Sequence, residues 1–81
     1  MEIKIVGAGC QNCIKLADLC QEVISETGLH ATVVKITDIN QFADLGIFKT
    51  PGLIVDGKIL SQGKIPVKST LSHWLQDELK G

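Results

Sequence analysis

Eighty-one residues allow one small domain, residues 1–81, and no second one. At 44% hydrophobic and 21% charged residues the chain reads as globular, and with a net charge of −1 and no cluster of Lys or Arg it is not built to hold nucleic acid. No apolar stretch approaches the roughly 20 residues that span a bilayer, and the first apolar run, IKIVGAG, is too short for a signal core.

The expected address is therefore the cytoplasm, without membrane contact. Thiols are kept mostly reduced there, so a close cysteine pair points to catalysis or metal binding before it points to a structural staple. The cysteines number three, an odd count that excludes a disulfide scaffold.

In chain order, EIKIV (2–6) is β-rich and predicts a first strand. From Gln11 to Thr27 the period changes. Cys13, Leu16, Ala17, Cys20, Val23 and Ile24 fall on one helical stripe, and Gly28 suits the position just past the helix. ATVVKI (31–36) predicts a second strand. TDINQFADLG predicts a short helix capped by Thr37 or Asp38 and ending at Gly46.

TPGLIVDGKIL predicts a hairpin. Leu53 to Val55 form one arm, Asp56-Gly57 the turn, and Lys58 to Leu60 begin the other arm. The unbroken apolar arm fits a strand covered on both faces. Pro66 suits the start of a last helix, whose apolar stripe is Val67, Leu71, Trp74, Leu75 and Leu79. The order is β-α-β-α-β-β-α. A parallel β-α-β unit followed by an antiparallel hairpin gives an α/β fold with a mixed four-stranded sheet flanked by helices.

The stretch GAGCQNCIKL places Cys10 and Cys13 at the start of the first helix. A thiol there meets unpaired backbone N–H groups and the positive end of the helix dipole, and both favour thiolate. Cys13 follows nearly one turn later on the same face, a separation that suits a disulfide. Three readings of the pair stay open: a redox dithiol, half of a metal site, or inert thiols. A zinc site would need two further ligands, and the candidates are Cys20, His30 and His73. A second feature bears on the choice. Thr50-Pro51-Gly52 stands before the third strand, where an X-Pro bond can take the cis form.

With CQNC at 10–13 and TPG at 50–52, in this order of elements, the chain resembles the thioredoxin superfamily. It is most similar to the small single-domain thioredoxin- and glutaredoxin-like branch. The resemblance covers nearly the whole chain and implies a thiol–disulfide oxidoreductase without a cofactor. It implies that Cys10 is the exposed nucleophile and Cys13 the resolving thiol. It also implies that Pro51 is cis beside the pair and that the Thr50 backbone pairs with an extended substrate segment. The implied partners are disulfide-containing proteins and a thioredoxin-reductase-like electron donor, with the chain acting as a monomer. The chain departs from the usual pattern at Gly9, where an aromatic residue is common, and at Gln11-Asn12, where Gly-Pro is common. No buried carboxylate near Cys13 can be identified.

Gly7, Cys10 and Cys13 also match the G-x-x-C-x-x-C of copper-chaperone-like modules, in which two thiolates hold a soft ion. That family ends in a strand and carries methionine where this chain has Ala8, so soft-metal binding by Cys10 and Cys13 is the alternative. Cys20 is expected to be a packing residue, His30 solvated, and His73 and Trp74 remote from the pair. Phe42 and Phe48 are expected to cap the core, with Phe48 a lesser candidate for a substrate groove and Lys49 one for the pair's surroundings.

Overall fold

The structure, a computed structural model, describes residues 1–80. The elements run β1 (Glu2–Val6), α1 (Gln11–Thr27), β2 (Thr32–Ile36), α2 (Ile39–Phe42), β3 (Gly52–Val55), β4 (Lys58–Gln62) and α3 (Lys68–Lys80). One sheet has the order β2-β1-β3-β4. β1 pairs parallel with β2 and antiparallel with β3, and β3 pairs antiparallel with β4. This is the mixed four-stranded sheet and the thioredoxin-like α/β arrangement expected from the sequence.

The position of each strand follows from its residues. GLIV of β3 is apolar throughout and lies inside the sheet with all four residues buried. TVVKI of β2 alternates more and takes an edge. Asp56 and Gly57 have φ of 48° and 85°, the left-handed pair that a two-residue hairpin turn requires. The Asp56 carboxylate also accepts a hydrogen bond from the Glu2 N–H at 2.7 Å, tying this turn to the start of β1.

Because side chains alternate across a strand, the sheet has two apolar faces. Ile3, Ile5, Leu53 and Val55 point to one face, where they meet Leu16, Ala17, Cys20 and Val23 of α1 and Leu71 and Leu75 of α3. Val6 and Ile54 point to the other, where Ile47 covers them and Phe42 and Leu45 pack alongside. Ser61 lies buried, and its hydroxyl has no hydrogen-bond partner among the described residues.

Three local expectations are corrected. α2 stops at Phe42, four residues before Gly46. Its last turn tightens as Gly46 N–H bonds to Ala43 O and Ile47 N–H returns to Phe42 O, which turns Ile47 into the core. α3 starts at Lys68, so buried Pro66 precedes the helix. Of the predicted α3 stripe, Leu71 and Leu75 are buried and Trp74 half-buried, but Val67 and Leu79 are 66% and 57% exposed. α3 meets the core through its middle turns, and the ends of the stripe overhang it.

Candidate active site

Cys10 caps α1. Its backbone is extended, with φ −69° and ψ 160°, and its Sγ accepts a hydrogen bond from the Cys13 N–H at 3.2 Å. A cysteine therefore fills the place that Ser, Thr, Asp or Asn usually takes at a helix start. The first turn of α1 contains no acidic residue, so nothing there offsets the positive end of the helix dipole. Cys10 and Cys13 are joined by a disulfide with 5.1 Å between their Cα atoms. The two cysteines differ in exposure: Cys10 is exposed, whereas Cys13 is only 6% exposed.

Gly7, at the end of β1, is what lets Cys13 sit there. A Cβ built on Gly7 would overlap the Cys13 Sγ and would lie 3.7 Å from the Thr50 Cβ. Gly7, Cys13 and Thr50 are thus in one cluster, although 43 residues separate the first from the last. The Thr50-Pro51 peptide bond is cis, Thr50 is exposed and Pro51 is buried. Of the predicted site residues, the helix brings Cys10 and Cys13 together, and the pairing of β3 with β1 brings Thr50 to Gly7 beside Cys13, with Pro51 next in the chain.

A cavity of about 240 Å³ opens on the other side of Cys13, toward β2. Ile5, Gly7, Gly9, Ile14, Lys35 and Thr37 line it with Cys13. The sequence reading missed Lys35. The register puts it there: Lys35 pairs with Ile5 and so points to the same face as the α1 stripe. Ser61 is the only buried polar or charged residue among those described, so no buried carboxylate stands behind the pair.

Cys20 lies two turns beyond Cys13 and is fully buried in the larger core cluster. Burial pushes its thiol up to about 12 from the usual 9.0, so it remains protonated. His30 is exposed, and His73 is exposed and paired with Asp77 at 3.2 Å. Among the described residues no group of three or more His, Cys, Asp or Glu is placed to hold a metal ion. No helix among them is long and apolar enough to cross a membrane. The expectation for Phe48 is corrected: it is 80% exposed and caps nothing, while Phe42 alone packs against the core. Ile47 takes the buried position next to it.

The family model described as Thioredoxin domain matches residues 1–76. The chain is 35% identical over 79 residues to a protein named Thioredoxin from Methanocaldococcus jannaschii, an alignment covering 98% of this chain and 91% of that one. It is also 35% identical over 75 residues to a Thioredoxin from Methanothermobacter thermautotrophicus, covering 93% and 97% of the two chains.

Proposed function

The chain belongs to the thioredoxin domain family and is a thiol–disulfide oxidoreductase, and we propose that Cys10 attacks, Cys13 resolves, and Thr50 with Pro51 holds the substrate. The observation that carries this assignment is the asymmetry of the pair: an exposed cysteine at the helix cap bonded to one that is 6% exposed.

In the reduced protein the Cys10 thiolate is favoured by the N-terminal amides of α1, including that of Cys13. It attacks one sulfur of a substrate disulfide. A Cys10–substrate bond forms, the substrate S–S bond breaks, and the second substrate sulfur leaves as a thiolate that takes up a proton. Cys13, having lost its proton, then attacks the Cys10 sulfur. The Cys10–Cys13 bond forms, the Cys10–substrate bond breaks, and the remaining substrate sulfur leaves as a thiolate that takes up a proton. Two electrons pass from the protein's dithiol to the substrate, and the Cys10–Cys13 disulfide remains. An external dithiol of the thioredoxin-reductase kind returns the two electrons.

The substrates in this reading are protein disulfides in extended segments. Thr50 is exposed beside Cys13, at the start of a buried strand, so its main chain suits pairing with such a segment. Cys13 borders the cavity lined by Lys35, and among the described residues no buried carboxylate is there to take its proton. The chemistry needs no metal and no bound cofactor. The soft-metal alternative is not favoured, because the chain matches the thioredoxin family nearly end to end.

The experiment is a trap. The Cys13→Ser protein, mixed with a disulfide-bonded protein substrate, should accumulate a mixed disulfide through Cys10 that mass spectrometry maps to that residue. Linkage through Cys20, or none, overturns the assignment of roles.

A further inference from the structure

The segment from Gly46 to Pro51 leads directly into the substrate-holding residues, yet Phe48, Lys49 and Thr50 are all exposed. Only Ile47 and Pro51 bury side chains there. Chain with so little burial does not keep one conformation unless its backbone polar groups are held. Three of them are held by one side chain. Gln62, the last residue of β4, accepts hydrogen bonds at its Oε1 from the Phe48 N–H at 2.9 Å and the Lys49 N–H at 3.3 Å. Its Nε2 donates to the Gly46 carbonyl at 3.4 Å. Chemistry sets this orientation of the amide: two N–H donors need an oxygen, and a carbonyl needs an N–H.

The next residue completes the tie. The Gly63 N–H donates to the Pro51 carbonyl at 3.0 Å. Gln62 itself pairs with Gly52 across the sheet, and Gly52 has no side chain to crowd it. The end of β4 therefore grips the segment at both ends. The amides of Ile47, Phe48 and Lys49 are all bonded, the first of them to Phe42 O. The Thr50 N–H, next in line, takes part in none of these bonds.

We infer that Gln62 is a positioning residue for protein-disulfide exchange: its carboxamide clamps residues 46–49 so that the Thr50 main chain meets an extended substrate segment beside Cys10. The inference rests on the role given above to Thr50. It assigns Gln62 no part in the thiol chemistry. A small disulfide that needs no strand pairing should therefore be indifferent to it.

The test compares two oxidants of the pre-reduced protein by stopped flow: insulin as a protein disulfide, and 5,5′-dithiobis(2-nitrobenzoic acid) as a small one. Gln62→Met, which loses all three bonds, should lower the second-order rate with insulin about tenfold or more and leave the small-disulfide rate within about twofold. Gln62→Glu keeps the acceptor for both amides and should recover most of the insulin rate. An equal fall with both oxidants, no fall with insulin, or a Glu variant as slow as the Met variant overturns the inference. If Gln62→Met does not fold, hydrogen exchange in the wild-type protein decides. Protection of the Phe48 and Lys49 amides by about a hundredfold is expected, and exchange at the free-chain rate overturns the clamp. Wild-type protein unable to reduce insulin, yet able to reduce the small disulfide, would instead overturn the reading of Thr50 from which the inference starts.

Discussion

Cys13 and Cys20 lie on one stripe of one helix, seven residues apart, and both are buried. Cys13 is bonded to an exposed cysteine at the helix cap and borders a cavity. Cys20 is enclosed by core side chains, and its thiol is pushed up to about 12. The same side chain on the same helix is bonded to a second sulfur at one end and enclosed in the core two turns later. Burial alone does not separate them. What separates them is the helix terminus, with its unpaired N–H groups, and a neighbouring sulfur within bonding reach. Cys20 has a satisfied helical backbone around it and only desolvation acting on its thiol.

The contrast is broken most directly by removing the cysteine to which Cys13 is bonded and, separately, Cys20. Cys10→Ser should lose protein-disulfide exchange by about a thousandfold or more, because a serine hydroxyl does not ionise near neutral pH. Cys20→Ala should stay within about twofold of wild type in exchange and lose about 1–2 kcal/mol of stability to the cavity it leaves. Insulin reduction together with urea unfolding reads both, and a large loss of exchange in Cys20→Ala contradicts the contrast.

Rates of alkylation sharpen it. In reduced protein at neutral pH, iodoacetamide should modify Cys10 at least about a hundredfold faster than Cys20, since only the thiolate reacts. Peptide mapping after timed quenching gives the ratio, and comparable rates would remove the distinction.

Gly7 tests whether the close approach of β1 to Cys13 is required. Gly7→Ala places a methyl against the Cys13 sulfur and should cost about 1–3 kcal/mol, as overpacking does. Urea midpoints of the oxidised proteins measure this, and an unchanged midpoint shows that the cluster yields freely.

The last test is in pH. In the oxidised protein Cys20 is the free thiol. An unfolded chain releases its proton near 9.0, whereas the native protein retains it to about 12. The stability it contributes is fully present below about pH 9 and falls as pH rises toward 12, with a slope of at most about 1.4 kcal/mol per pH unit. The difference in slope between wild type and Cys20→Ala isolates this proton. Parallel curves above pH 9 would show that Cys20 is not desolvated.

Much of this was legible along the chain because it rests on neighbours in sequence. The bounds of β1 and α1, the left-handed Gly28 at the end of α1 and the Asp56-Gly57 turn depend on periodicity and on residues that tolerate positive φ. The exposure of Cys10 and the shielding of Cys13 follow from their order at a helix start. Less legible were features set by what lies opposite. Val67 and Leu79 continue the α3 stripe but find no sheet beneath them. Phe48 stays exposed because Ile47, its neighbour, takes the buried place over Gly52.

The sequence by itself determined the β-α-β-α-β-β-α order and put two cysteines at the start of the first helix, because such choices are made over a few residues by propensity, capping and turn geometry. Only the tertiary structure decided that β3 lies beside β1, which brings Thr50 to the same glycine that Cys13 touches. Only it placed Lys35 on the cavity and the Gln62 carboxamide on the Phe48 and Lys49 amides. Contacts between residues 13 to 43 positions apart depend on strand order and register, and those emerge when two apolar sheet faces are buried at once, which no local pattern encodes.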